Sequence, residues 1–183
     1  MLSKNVIDNI LDEASLRGAD FAEVFDENTL LQETEGNPDG IGQSQVGRDS
    51  GVGIRIFKNE NCYYGYTNDR SEKALKELIQ NLTKTMKGDA LARAALQEKK
   101  IYTMGSDVIP ASLLTAEKRL RPLKAAVKAG MEYDEEIVQM KVKLTDMEQM
   151  VQIANTEGLF VEDHREKTRL YINAFAQAGT DTQ

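Results

Sequence analysis

The chain is poor in the residues that metal and nucleophile chemistry use. It holds one histidine, His164, and one cysteine, Cys62, in 183 residues. A two-histidine metal site is therefore excluded within one chain, as is the zinc-protease pair of histidines one helical turn apart. A Ser-His-Asp triad would have to use His164, and no Gly-x-Ser-x-Gly elbow accompanies it. A single cysteine excludes an intrachain disulfide and fits a reducing cytosol. No apolar run reaches the roughly 18 residues a membrane span needs, so no membrane partner is expected. Asp8, Asp12 and Glu13 stand where a secretory leader would carry its apolar stretch, which points to a cytoplasmic location.

Basic charge is also scarce. Lys and Arg number 23 against 30 Asp and Glu, for a net charge of -7. Direct nucleic-acid binding wants the opposite balance. Residues 1–60 hold 12 acids and 5 bases, so the whole excess sits in the first third. That stretch is a solvated acidic face or a surface for a basic partner or peptide. Otherwise the composition, 40% hydrophobic and 29% charged, is that of a soluble globular protein. The length suits one domain or two small ones, with about 70% of the unfolded surface buried.

Helical spacing is clear in three places. Val6, Ile7, Ile10, Leu11 and Ala14 share a face over residues 4–17, with Ser3 as N-cap and Gly18 as the stop. Residues 71–87 carry Ala74, Leu75, Leu78, Ile79, Leu82 and Met86 behind Asp69 or Ser71 as cap. Residues 115–129 carry Leu120, Leu123 and Val127, with Pro122 predicting a kink or a fresh start. Residues 89–98 are expected as a further helical piece, and 99–112 as an irregular connection.

Period-two alternation dominates elsewhere. Strands are expected over 20–27, 29–35, 41–46, 52–57, 62–66, 138–145, 149–154, 159–163 and 167–176. Turns are expected at 36–40, 47–51, 59–61, 146–148 and 155–158, where Gly, Asn, Asp and Pro gather. The fold class that follows is α+β, a mostly antiparallel sheet with helices packed on it.

Several constellations invite chemistry, and each has a plainer structural reading. Gly47, Gly51 and Gly53 surround Arg48 and Asp49, but a strand rather than a helix follows, which favours a hairpin turn over a phosphate loop. Glu162 with Asp163, and Asp134 with Glu135 and Glu136, suit acid–base work only if they converge in space. Cys62 lies in a tyrosine-bearing strand and is expected to be a buried structural thiol. Tyr63, Tyr64 and Tyr66 are expected in core and at a sheet edge, without the basic neighbours a base-stacking platform wants. Lys118, Arg119, Arg121, Lys124 and Lys128 form a basic cluster expected to be solvated.

Four blocks in this order resemble the TldD/PmbA proteins. They are Gly18-Ala19-Asp20-Phe21-Ala22-Glu23-Val24, Gly47-Arg48-Asp49-Ser50-Gly51-Val52-Gly53-Ile54-Arg55, Tyr64-Gly65-Tyr66-Thr67-Asn68-Asp69, and Ile153 to Gly158 followed by Val161 to Arg165. The first half is nearer the TldD side. The resemblance implies cytoplasmic zinc metalloproteases that act on peptides or unfolded segments and pair with a TldD/PmbA-like subunit as homo- or hetero-oligomers. That family also carries the label of modulators of DNA gyrase. Its zinc ligands belong to a His-Glu-x-x-x-His helix and a distant cysteine in the C-terminal half, and that motif is absent from this chain. No catalytic or cofactor residue therefore carries over, and neither Cys62 nor His164 matches a ligand position.

The implied assignment is residues 1–183 as a single N-terminal, non-catalytic domain that contributes to the substrate chamber and to dimer formation. The positions to which the motif blocks give a structural or interface role are Arg48, Asp49, Gly51, Gly53, Arg55, Asn155, Glu157, Gly158, Asp163 and Arg165. A free-standing interaction module that has lost the peptidase is the rival reading. A small enzyme built on His164 is the third.

Overall fold

A computed structural model describes residues 1–86, 88–99, 109–178 and 181–182. The elements run α1 (Lys4–Leu16), β1 (Phe21–Asn37), β2 (Gly40–Lys58), β3 (Asn61–Thr67), α2 (Glu72–Leu82), β4 (Gln97–Glu98), a 3-10 turn (Ala111–Leu113), α3 (Ala116–Met131), β5 (Ile137–Asn155), β6 (Leu159–Ala178) and β7 (Asp181–Thr182). Hydrogen-bonded strands follow the order β3-β2-β1-β5-β6-β4, with β7 on β6. The turns from β1 to β2, β2 to β3 and β5 to β6 span two or three residues, too short for anything but antiparallel pairs. β4 lies parallel to β6. The class is α+β, as the patterning predicts.

Two compact units share the chain. Unit 1 comprises Met1–Thr29, Asp49–Met104 and Gln149–His164, and unit 2 comprises Leu30–Arg48, Gly105–Glu148 and Arg165–Gln183.

In unit 1 the core is aliphatic. Ile7, Ile10, Leu11 and Ala14 of α1 and Leu75 and Ile79 of α2 join Ala22, Val24, Val52, Ile54, Ile56 and Ala154 of the strands. The helices start where side chains satisfy their first N–H groups: Ser3 Oγ accepts from Val6 N at 3.3 Å, and Ser71 Oγ from Ala74 N at 3.3 Å. Gly18 ends α1 at φ +83, and a Cβ there would sit 2.9 Å from the Gly88 carbonyl carbon. Gly65 opens space on β3 for Leu78, whose Cδ1 lies 2.6 Å from where a Cβ would stand.

In unit 2 one helix covers the strands. Leu123 and Val127 of α3 pack with Met140, Val142 and Leu144 of β5. Thr115 caps α3, its Oγ1 accepting from Lys118 N at 3.4 Å. Pro122 lies inside α3, which runs on as one helix with no fresh start there. Pro122 and Lys118 are both exposed, so the Lys118 carbonyl that loses its partner is left to solvent.

Strand continuity is the main departure from the sequence expectation. The expected pairs of strands at 20–27 and 29–35, and at 159–163 and 167–176, are single strands β1 and β6. The turn expected at 47–51 is extended chain within β2, where Gly51 makes room for Tyr66 across the strand. The turn expected at 146–148 lies within β5, where Asp146 is buried against a cation instead of facing water. Residues 89–98 are not helical. Up to β4 they carry no regular structure, with Arg93 holding Asp8 at 2.9 Å and Asp12 at 2.5 Å. Most of the connection expected over 99–112 lies outside the described residues.

Candidate functional site

Alternation along β2 and β3 gives unit 1 two unlike faces. Val52, Ile54 and Ile56 turn to the helices, and Gly51, Gly53 and Arg55 to the other side. In the β2–β3 register Gly53 lies opposite Tyr66 and Arg55 opposite Tyr64. On β1, Ala22, Val24 and Asp26 are buried while Phe21, Glu23, Phe25 and Glu27 are partly open. The second face thus carries rings, carboxylates and two glycines.

The glycines exist for the rings. A Cβ on Gly51 would lie 2.1 Å from the Tyr66 hydroxyl, and one on Gly53 3.0 Å from the Tyr64 hydroxyl. Each tyrosine lies across a glycine and leaves the rest of its surface open, at 60% exposure for Tyr64 and 50% for Tyr66. Phe25, Glu27, Asp49, Ser50 and Asn68 complete a groove of about 430 Å³. Packing against the strand raises the Tyr66 pKa above its ordinary 10.0, and the Asp49 and Glu27 carboxylates push the same way. Beside the groove, Phe21 meets Phe57 edge to face at 6.0 Å and Arg55 stands 4.0 Å from Glu23.

Behind it sits a charge pair that sequence reasoning missed. Asp26 is fully buried, and its Oδ2 accepts from Leu2 N at 2.7 Å. Its Oδ1 accepts from Arg70 Nη2 at 2.7 Å, and the same nitrogen donates to the Glu27 carbonyl at 2.6 Å. The signal available was an aspartate following Ala22 and Val24 at the inward positions of β1.

The second motif region shapes a turn. Asn155 Oδ1 accepts from Glu157 N at 3.0 Å and Leu159 N at 3.1 Å, closing the β5–β6 hairpin. Gly158 takes φ +92, and a Cβ there would lie 2.7 Å from the Ala95 carbonyl oxygen. That close approach lets Gln97 N donate to Gly158 O at 2.7 Å and Lys99 N to Phe160 O at 2.9 Å, which builds β4. Glu157 is exposed at the tip.

Of the motif positions, Asp49, Gly51 and Gly53 meet in the groove, with Arg55 on the same face. Asn155, Glu157 and Gly158 meet at the hairpin. Arg48 is exposed on β2, and Asp163 and Arg165 lie along β6. His164 is exposed within β6 rather than at a strand end. Cys62 is exposed, contrary to the buried thiol expected, because its position on β3 falls on the face without helices. Tyr63 alone of the three tyrosines packs against the core.

Unit 2 has its own polar centre. Arg119 of α3 donates from Nε to Asp146 Oδ2 at 2.6 Å and from Nη1 to Thr34 Oγ1 at 3.1 Å. Thr168 Oγ1 donates to Asp146 Oδ1 at 2.7 Å. Arg119 therefore departs from the solvated basic cluster expected for α3. The opposite face forms a cleft of about 530 Å³ whose charged residues are Glu33, Glu35, Lys141, Lys143, Lys167 and Arg169. Lys143 pairs with Glu33 at 2.6 Å and Lys141 with Glu35 at 3.2 Å.

Among the described residues no three or more His, Cys, Asp or Glu are grouped to hold a metal. The donors among the described residues do not fit a zinc site. Glu162 is bonded to Gln152, and Asp134 Oδ1 caps its own turn by accepting from Glu136 N at 2.9 Å, so these acids do not converge. What the unit 1 groove offers is ring surface and negative charge. No described helix is long and apolar enough to cross a membrane.

Known proteins fit this picture. Residues 39–96 match the family model for PmbA/TldA metallopeptidase domain 1, and residues 109–183 match that for the PmbA/TldA metallopeptidase central domain. A Metalloprotease TldD homolog of Haemophilus influenzae is 23% identical over 185 residues, 96% of this chain and 37% of that protein. A metalloprotease of Methanothermobacter thermautotrophicus is 28% identical over 140 residues, 75% of this chain and 30% of that one. The fold of a Thermotoga maritima protein described as a candidate modulator of a DNA gyrase superimposes with TM-score 0.75 at 18% identity, over 98% of this chain and 41% of its own. TldE of Thermococcus kodakarensis superimposes with TM-score 0.69 at 15% identity, over 97% and 40%. The chain thus spans about a third of the curated relatives it matches. With two successive domain models of one family matched in order, the chain belongs to the PmbA/TldD family.

Proposed function

We propose that this chain serves as the non-catalytic N-terminal part of a TldD/PmbA-like metallopeptidase. In this reading it supplies part of the wall of a peptide-substrate chamber and contacts for a homo- or hetero-oligomer with a TldD/PmbA-like subunit. Zinc and the hydrolytic groups belong to another part of the assembly. The substrate is a peptide or an unfolded segment, the compartment is the cytoplasm, and nucleic acid is not bound directly.

The observation that carries the reading is the asymmetry of unit 1. One side of its strands is sealed by α1 and α2, and the other bears an open groove of about 430 Å³. Such a layer suits a wall with a sealed back and a lined front.

The test is the intact mass of the native protein, captured by antibody from its source cells, with zinc measured in the same capture. A mass more than twice 20.4 kDa, or a 20.4 kDa chain held with a zinc-bearing polypeptide of this family, supports the proposal. A 20.4 kDa chain with no zinc-bearing partner overturns it in favour of a free-standing interaction module.

A further inference from the structure

The groove of unit 1 has a charge and a surface that select a ligand. Its two ionised side chains are Glu27 and Asp49, both acidic. Its walls are Tyr64 and Tyr66, laid across Gly53 and Gly51 with half or more of each ring open. Two of the cations nearby have carboxylate partners. Arg70 is bonded to Asp26 and to the Glu27 carbonyl, and Arg55 stands beside Glu23. Tyrosine faces attract an ammonium or guanidinium through the ring quadrupole, and flanking carboxylates add to that attraction.

We propose that the Tyr64–Tyr66 groove, with Glu27 and Asp49, binds a lysine or arginine side chain of an extended peptide. This rests on the peptide-chamber reading and names its substrate class as basic. With two carboxylates and two rings as its recognition groups, charge rather than residue order sets the preference.

Binding is measured on the whole chain, with no peptidase required. The probe is an acetylated and amidated octapeptide of alternating serine and lysine, titrated by calorimetry at low salt. Its acetyl-lysine counterpart keeps the length and removes the charge. Asp49→Asn is compared with Asp39→Asn, which changes net charge equally at an exposed turn that does not line the groove. Tyr66→Leu removes a ring, and circular dichroism checks that it is folded.

The expected result is binding of the lysine peptide and roughly tenfold weaker binding of its acetylated form. Asp49→Asn and Tyr66→Leu should each weaken the lysine peptide about three- to tenfold, and Asp39→Asn less than twofold. Equal affinity of the Asp49→Asn and Asp39→Asn variants overturns the site, as does no binding at all. The intact-mass result is independent of either outcome, so loss of this site and loss of the chamber reading are told apart.

Discussion

In unit 1, α1 and α2 meet the strands through Ile7, Ile10, Leu75 and Ile79 on one side and Val24, Val52, Ile54 and Ile56 on the other. In unit 2, α3 meets them through a shorter aliphatic row and, at its N-terminal end, through Arg119 and Asp146. Hydrocarbon burial is nondirectional and tolerates small shifts, whereas a desolvated ion pair is stable only at one geometry. The outer faces differ in sign as well. The unit 1 groove carries two acids, and the unit 2 cleft four cations against two acids. The contrast teaches that one strand system can be assigned stability by hydrocarbon in one region and specificity by charge in another.

The largest expected effect tests the hydrocarbon side. Ile10 is fully buried. Ile10→Ala should cost about 2–5 kcal/mol, and Ile10→Asp should abolish the cooperative urea transition of unit 1, because a carboxylate would have no partner there. A folded Ile10→Asp protein with unchanged melting would mean that α1 is not part of the core.

Next comes the ion pair. Asp146→Ala strands Arg119 in a site where only 13% of its side chain is exposed. The expected loss is roughly 3–5 kcal/mol by denaturant unfolding. Replacing both groups, as Arg119→Met with Asp146→Leu, should recover most of that loss. If the double variant is as unstable as the single, the pair is worth more than its desolvation cost and the contrast between the units sharpens.

The same contrast explains what the sequence made legible. Helices announced themselves because caps and apolar stripes are local: Ser3 caps as expected, and of the two candidates at the second helix Ser71 is the one that caps. The antiparallel sheet followed from alternation alone. Strand length did not, because Gly51 and Asp146 carry turn chemistry that distant partners override. Gly51 is explained by Tyr66, and Asp146 by Arg119, 27 residues away. The candidate groove was half legible. Its glycines, Arg55 and Asp49 stand among the motif positions, and the three tyrosines fall in core and on the edge strand β3 as expected, but that Tyr64 and Tyr66 lie across Gly53 and Gly51 depends on a register no local pattern states. The Asp26–Arg70 pair was not seen for the same reason.

A smaller effect probes the fit of ring to glycine. Gly51→Ala places a Cβ where the Tyr66 hydroxyl lies, and the ring is free to swing outward. The expected cost is about 1 kcal/mol, with altered Tyr66 ring resonances. Gly51→Ala with Tyr66→Ala should then cost less than the sum of the singles, and strict additivity would mean the two do not touch.

The smallest effect compares one surface carboxylate from each unit. In unit 1, Asp20 bonds Lys58 Nζ at 2.7 Å and Asn59 N at 2.7 Å, and its pKa is lowered from 3.8, chiefly by Lys58. In unit 2, Glu33 is lowered from 4.5, chiefly by Lys143 and then by Gln45. A folded-state pKa below the unfolded value means the unfolded chain takes up the proton first. The contribution of each carboxylate to stability is therefore complete above its ordinary pKa and fades as pH falls through the lowered one. Carboxyl carbon resonances followed from neutral pH to acid should show both groups titrating below their ordinary values. Lys58→Met should return Asp20 upward and leave Glu33 in place, and Lys143→Met should do the reverse. Movement of both carboxylates in either variant would show that the charges of the two units are coupled, and would break the comparison drawn between them.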